Sequence, residues 1–474
     1  MKKFKGQNYS TKAAIFAGAA ALMALTPQSH AQTSVDALLN KLEQKGILSV
    51  DEARELRAEN ATNSVDDFNK ALTSKFPMPD WVTGYRLYGD FRGRYDELTT
   101  DSPGNPTTFL SGQNRVRLRY RLRVGLTIDM KDNLEAGFRL GSGDAGGGAL
   151  SNNTTLENNG TKKPVWVDAA FGKWSPLHKD PWMLALTVGK MDQPFQASPM
   201  VFDPDYTPEG AALQSSYKIN DNHSLVFNGA AFVLDELPGS ARDPFLYGGQ
   251  LIWNANWTSK LATSLGVAAY DIVNGEALGL ANGLPNPNPS INPGGVPDNN
   301  QGNSRDLNGN LIYNYNPFVI SGSVIYTLDS FPLYHGKFPI KFSGEYMQNP
   351  AASANNEGWW GGITLGKSGK KGLWDISYRY ERLGADAWYD ELVDDDNVAF
   401  YANVPSAYPS GKTGWLGGTN IRGHLIKFNY SITDALTFSF TAYINDLISP
   451  GLDSTLGEPQ NNAIHAMADL IWKF

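Results

Sequence analysis

The chain contains no cysteine, so it holds no disulfide, no thiol nucleophile and no cysteine-ligated metal or iron–sulfur centre. Histidine is nearly as scarce: the six present are scattered singly, with no pair at the spacing that clasps a metal. An excess of basic residues is also missing. Forty Lys and Arg stand against 48 Asp and Glu, a formal charge of −8, which argues against nucleic acid as a partner. Beyond residue 31 no apolar run is long enough to cross a bilayer as a helix. What the chain does have is 48 glycines, 27 prolines and an aromatic content of 12%, a turn-rich composition with ample material for a large packed surface.

The first 31 residues stand apart. Lys2, Lys3, Lys5 and Lys12 make a positive front to Ala13–Leu25, thirteen consecutive apolar or glycine residues. Thr26, Pro27 and Gln28 end that run, and Ser29 and Ala31 put small residues at −3 and −1 of a cleavage point before Gln32. This is the layout of a secretory signal peptide. As a helix, the apolar run reaches only about 20 Å, short of a ~30 Å hydrocarbon core. Removing its four lysines takes the formal charge from −8 to −12. With no later helical span on offer, any membrane-embedded form has to be a closed β-barrel.

Residues 32–62 read as a short helical segment. Val35, Leu38, Leu39 and Leu42 fall at helical spacing, Gly46 suits a helix stop, and Ser49-Val50-Asp51-Glu52 reads as a capping box opening a second helix. Two helices this short need self-association, another domain or a cell-wall partner to bury their apolar faces; as a stalk or plug they carry no chemistry. Residues 63–83, with Pro77 and Pro79, form a linker.

From residue 84 to 474 the period becomes two. Val116, Leu118, Tyr120, Leu122 and Val124 alternate with Arg115, Arg117, Arg119, Arg121 and Arg123. A strand with one apolar and one charged face needs lipid or a core on one side and water on the other. We count sixteen such runs, from Gly84–Leu98 to Asn461–Phe474, with Asn308–Thr327 the tenth and Glu357–Gly366 the twelfth. Odd-numbered connections are long and even-numbered ones mostly tight. That asymmetry, with an even strand count putting both ends on the short-turn side, predicts an all-β protein: a sixteen-stranded antiparallel transmembrane barrel behind a short helical hairpin or coiled coil.

The signal segment, the sixteen runs and the terminal aromatic Phe474 together resemble the sixteen-stranded porins of Gram-negative outer membranes, and most nearly the porin group with a short helical region before the barrel. The resemblance covers residues 84–474. It implies an outer-membrane location among lipid with periplasmic termini, a homotrimer, cell-wall contact through the preceding helices, and passive diffusion of small hydrophilic solutes and ions. It also implies that Leu470, Trp472 and Phe474 form the barrel-assembly signal. In such porins the third long connection folds inward and narrows the pore. Here that connection is about residues 192–210, stiffened by four prolines and carrying Phe195, Met200, Phe202 and Tyr206 together with Asp192, Asp203, Asp205 and Glu209. The alternative is a surface loop packed on its neighbours or gripping a second subunit.

Nine arginines share the expected inward face of the first three strands: Arg86, Arg92, Arg94, Arg115, Arg117, Arg119, Arg121, Arg123 and Arg139. Each would cost ~2–4 kcal/mol facing lipid near the midplane, so they line water. Two uses remain open: a wall paired to carboxylates, or a transverse field opposite the acidic loop. Counting Lys341, Arg379, Lys427 and Lys473 with them, and Asp90, Glu135, Asp168, Glu345, Asp375, Glu381 and Asp469 against, the wall carries a surplus of six positive charges. This predicts a weak anion preference carried by Arg117, Arg119 and Arg121.

Several motifs carry no function on this reading. Gly361–Ser368 spells a phosphate-loop pattern and Gly141–Gly146 a GxGxxG, but neither has a helix to follow it. Asp394, Asp395 and Asp396, with Asp390 and Glu391, are a weak calcium candidate; a solvated loop tip is the ordinary use of such a run. No Ser/His/acid constellation can be assembled, and nothing calls for a catalytic role or a cofactor. The alternatives to a diffusion pore are a substrate-selective channel of anion or phosphate type, or a non-conducting adhesin or structural barrel using residues 273–307 and 384–418.

Overall fold

The computed structural model describes residues 79–100, 114–144, 148–236, 241–278, 301–305, 311–401, 414–449 and 463–474. The expected signal segment (1–31), the helical segment (32–62) and linker residues 63–78 lie outside them. No described helix is long and apolar enough to cross a membrane.

Alternating sequence dictates alternating faces, and the strands that result close on themselves. Sixteen make the barrel: β1 (Val82–Thr100), β2 (Arg115–Met130), β3 (Leu134–Ser142), β4 (Val165–Lys179), β5 (Trp182–Lys190), β6 (Glu209–Lys218), β7 (His223–Val233) and β8 (Phe245–Asn256) form the first half. The second half is β9 (Leu261–Val273), β10 (Phe318–Leu328), β11 (Phe338–Gln348), β12 (Glu357–Gly366), β13 (Trp374–Leu383), β14 (Ile421–Ser431), β15 (Leu436–Leu447) and β16 (Ala463–Lys473). Each pairs antiparallel with its chain neighbours, and β16 returns to β1, so no edge is left open. The two-residue strand Thr154–Thr155 adds to β2, and a ribbon of Val398–Tyr401 with Gly414–Gly417 stands outside the barrel sheet.

Leu118, Leu122, Val188, Val267 and Phe342 point outward and are exposed, as a lipid-facing belt requires. Tightly packed aromatics such as Trp182 with Tyr217, ring centroids 4.4 Å apart, gather at the short-turn end. Both glycine motifs are absorbed by strands: Gly361–Gly366 lies within β12, and Gly141 and Ser142 end β3.

One strand start differs from the alternation. The tenth run begins at Phe318 rather than Asn308. Leu311, Tyr313 and Tyr315 alternate as a strand would, but Tyr315 is buried in a loop against Tyr389, ring centroids 5.9 Å apart. The backbone there is tied to one side chain: Asn349 Oδ1 accepts from Asn316 N–H and Asn349 Nδ2 donates to the Asn314 carbonyl.

The seam is closed by the last residue. Phe474 and Gly89 exchange both backbone hydrogen bonds, at 2.8 and 3.1 Å. A Cβ at position 89 would lie 2.6 Å from the Phe474 ring, so only glycine admits it. Trp472 packs on Phe91 next to it, centroids 5.5 Å apart. Deleting Phe474 removes both bonds and the ring. We expect a severalfold loss of heat-modifiable barrel from outer-membrane fractions, with export across the inner membrane intact; unchanged assembly on unheated gels contradicts this role.

Candidate functional site

The barrel interior is divided between an apolar and a charged wall. Residues 191–208, joining β5 to β6, turn into the lumen as an inner loop, and residues 384–401, following β13, lie across them as a strap. Proline-stiffened backbone presents Phe195, Met200, Val201 and Phe202 to the wall, where all four are buried. Phe195 meets Tyr270 of β9 edge-on at 5.1 Å and Phe232 of β7 at 6.2 Å; Phe202 meets Tyr270 and Trp388 of the strap at 5.3 and 6.1 Å. Such pairs contribute about 0.5–1.5 kcal/mol each beyond burial.

A buried loop must also satisfy its backbone. Gln250 of β8 does so twice, accepting from Gln196 N–H and donating to its carbonyl, both at 2.9 Å. Gln214 of β6 donates to the Pro194 carbonyl, and Ser198 donates to Glu345 of β11. Strap and inner loop are joined in turn: Trp388 Nε1 donates to the Val201 carbonyl at 2.8 Å, Asp203 N–H to the Leu392 carbonyl at 2.8 Å, and Asp394 N–H to the Pro199 carbonyl at 3.0 Å.

The opposite wall carries the arginines, which β1–β3 bring together as the alternation predicts. Asp90 receives both Arg121 and Arg123, at 3.0 and 2.7 Å, and Asp205 of the inner loop also meets Arg121 at 2.7 Å. Arg94 lies between Asp469 of β16 and Asp396 of the strap, both at 2.8 Å. Asp96 takes Arg117 at 2.8 Å and Arg119 at 3.5 Å, and faces His465 Nε2 at 3.2 Å. Arg139 is held by Asp168 and Asp192, and Arg92 donates to Asn153 at 2.6 Å. Arg86, 3.5 Å from Glu135, keeps a 62% exposed side chain. Arg115 is exposed, with no carboxylate within 4.0 Å among the described residues.

Two of the four acids assigned to the constriction do meet this wall, Asp192 and Asp205. The other two do not. Asp203 is buried between loops, accepting from Asp205 and Asp395 N–H groups at 2.6 and 3.1 Å. Glu209 is the first residue of β6 and faces outward, paired with Lys190 at 3.1 Å. Asp96, omitted from the wall's acids above, stands two positions beyond Arg94 and therefore on the same face; that parity was the available signal.

The Asp394–Asp396 run is no solvated tip. Asp394 accepts from the Tyr443 hydroxyl at 2.8 Å, Asp396 is taken by Arg94, and the carboxylate oxygens of Asp203, Asp394 and Asp395 lie within 4.8 Å of one another. The calcium candidate is thus a different trio from the one the sequence suggests, with Asp203 in place of Asp396. Burial pushes the carboxyls of Asp203 and Asp395 well above the usual range, reinforced at Asp203 by Asp395 and Asp394 and at Asp395 by Asp396 and Asp394. Burial and the neighbouring Asp396 push Asp394 up to about 6. Burial works on Asp396 in the same direction, but the Arg94 guanidinium overrides it and holds this carboxyl below the ordinary value.

Residues 99–281 match the family model described as "Putative porin", and similar solved structures are outer-membrane proteins. OprB of Pseudomonas putida is 12% identical over 82% of this chain and 94% of its own, TM-score 0.48. A mutant porin of Rhodopseudomonas blastica is 9% identical over 82% and 100%, TM-score 0.38. A loop-deleted OmpT of Vibrio cholerae is 9% identical over 83% and 100%, TM-score 0.40. No curated protein matches the chain in sequence.

The strap's charge state yields a testable pH dependence. Asp203, Asp394 and Asp395 have raised values in the docked loops, so their protonation favours docking and their ionisation opposes it. Asp396 acts oppositely, but only in the acid range below its ordinary value. Docking should therefore loosen as pH rises through about 6. We expect protection factors, with the intrinsic base-catalysed rate divided out, to fall at residues 199–206 and 388–396 between about pH 5 and pH 8, with part of the fall removed by Asp394→Asn. A flat wild-type profile contradicts the assignment.

Proposed function

We propose that the protein is an outer-membrane porin: a water-filled barrel through which small hydrophilic solutes and ions diffuse passively, with a weak preference for anions. One observation carries the reading. The barrel is closed, apolar outside and charged inside, and its third long connection lies within the lumen against the arginine wall. Export by residues 1–31, periplasmic termini and a trimer belong to the same reading. It is supported by the signal-like opening, by described barrel ends that share the short-turn side, and by the porin family match.

The weak preference has a different origin from the one the arginine count suggests. Nine carboxylates lie within 4.0 Å of the nine-arginine ladder, enough to offset it. Arg119 and Arg121 are buried in these pairs. Replacing Arg121 would leave Asp90 and Asp205 short of a partner, a change of structure as much as of field. Beyond the ladder, the wall's unmatched cations among the described residues are Lys173, Lys341, Lys427 and Lys473, against Asp129, Glu345 and Asp375. Lys341 and Lys427 are exposed on the inward faces of β11 and β14, where each acts on an ion passing within the ~8 Å screening length.

In planar bilayers the purified full chain should conduct, with a reversal potential in a KCl gradient on the anion side of zero. Lys341→Gln with Lys427→Gln should move it toward cations while conductance persists. A silent barrel would favour the adhesin or structural alternative, and a cation-selective wild type would refute the charge argument.

A further inference from the structure

Where the inner loop leaves β5, the lumen opens into a niche of ≈ 380 Å³, within the ~300–1,000 Å³ range of small-molecule sites. Two aromatic side chains pave it. Tyr88 lies across its strand partner Gly125, where a Cβ would come within 2.4 Å of the ring, and Phe171 lies across Gly137, where a Cβ would come within 2.6 Å. Each ring therefore rests on bare backbone on neighbouring strands, and both line the niche. Met191 and Pro194 of the inner loop add apolar surface.

Between the rings stand two cations. Arg86 is anchored through Nε to Thr127 Oγ1 at 3.1 Å, while its NH2 reaches Glu135 only at 3.5 Å. Lys173 is the direct cross-strand partner of Glu135, yet no carboxylate among the described residues comes within 4.0 Å of its ammonium. Asp192, also on the rim, has both oxygens engaged by Arg139. Glu135 and Asp192 equal the two cations in number, but Asp192 is turned to Arg139, which leaves the Lys173 ammonium as the cation without an ion pair among the described residues, beside an aromatic floor.

We propose that this niche is a binding site for small aromatic monocarboxylates on their way through the pore. The carboxylate sits between Arg86 and Lys173, the ring lies on Phe171 or Tyr88, and Thr187 and Gln214 remain for a ring substituent. The proposal rests on the porin reading and deepens it. A neutral sugar could use the rings but would leave the unmatched charge unanswered; inorganic anions could use the charge but not the rings.

The test is ligand binding to the folded full chain in detergent, by calorimetry or saturation-transfer NMR, with benzoate, acetate, benzamide and glucose as probes. Benzoate should bind most tightly. Acetate should lose roughly threefold or more for want of the ring, and benzamide about tenfold for want of the charge. Arg86→Gln should weaken benzoate about tenfold, Phe171→Leu about threefold, and Arg86→Lys should restore most of the loss. Lys173→Gln supplies a second variant, and heat-modifiability on gels reports folding of each. Benzoate binding no tighter than acetate or glucose, or unchanged in folded Arg86→Gln and Lys173→Gln, overturns the proposal. Conductance in KCl is measured on the same preparation. A conducting pore that ignores benzoate refutes the niche alone, and a silent barrel that binds benzoate with this ranking refutes the diffusion reading alone.

Discussion

A guanidinium set in a wall whose other side is apolar has to be answered from within the barrel. Nine arginines on three adjacent strands make that requirement the organising constraint of this molecule. Water alone would leave them repelling one another at cross-strand spacing. The chain meets them instead with carboxylates from six sources: their own strands, β4, β16, the connection after β3, the inner loop and the strap. The positions of both internal segments follow, since Asp205 and Asp396 are useful only if those segments are inside.

The apolar half of the interior supplies the complementary force. Phe195 and Phe202 bury against the inward faces of β7–β11, which offer Phe232, Tyr270 and Met347, with Lys341 and Glu345 of β11 the charged exceptions. The inner loop is thus pinned by apolar contact on one side and ion pairs on the other. A loop held by either alone could swing; held by both, it is fixed across the lumen.

Local pattern was enough for the barrel because a strand's face is decided by neighbours two positions away. β12 was readable residue for residue, and the inward set of arginines came from parity alone. The failures share one cause, contact between residues remote in sequence. Leu311, Tyr313 and Tyr315 imitate a strand while serving a loop core built with Tyr389. Asp396 looks like part of a solvated acidic run until Arg94 is brought beside it, and Asp203 becomes a link between loops only once the strap arrives. Glu209 reads as loop because the alternation of β6 is weak at its start, with Gly210, Ala211 and Ala212 giving little contrast.

The pairs of Arg94 carry a consequence for biogenesis. Its two carboxylates follow it by 302 and 375 residues, the second on the closing strand. Until those residues arrive Arg94 lacks both partners, although Asp90, Asp96 and Glu135 already travel with the first three strands. Closure does more than remove a sheet edge: it brings Arg94 its last carboxylate. A chain stalled before β16 would keep an open sheet edge and leave Arg94 without Asp469.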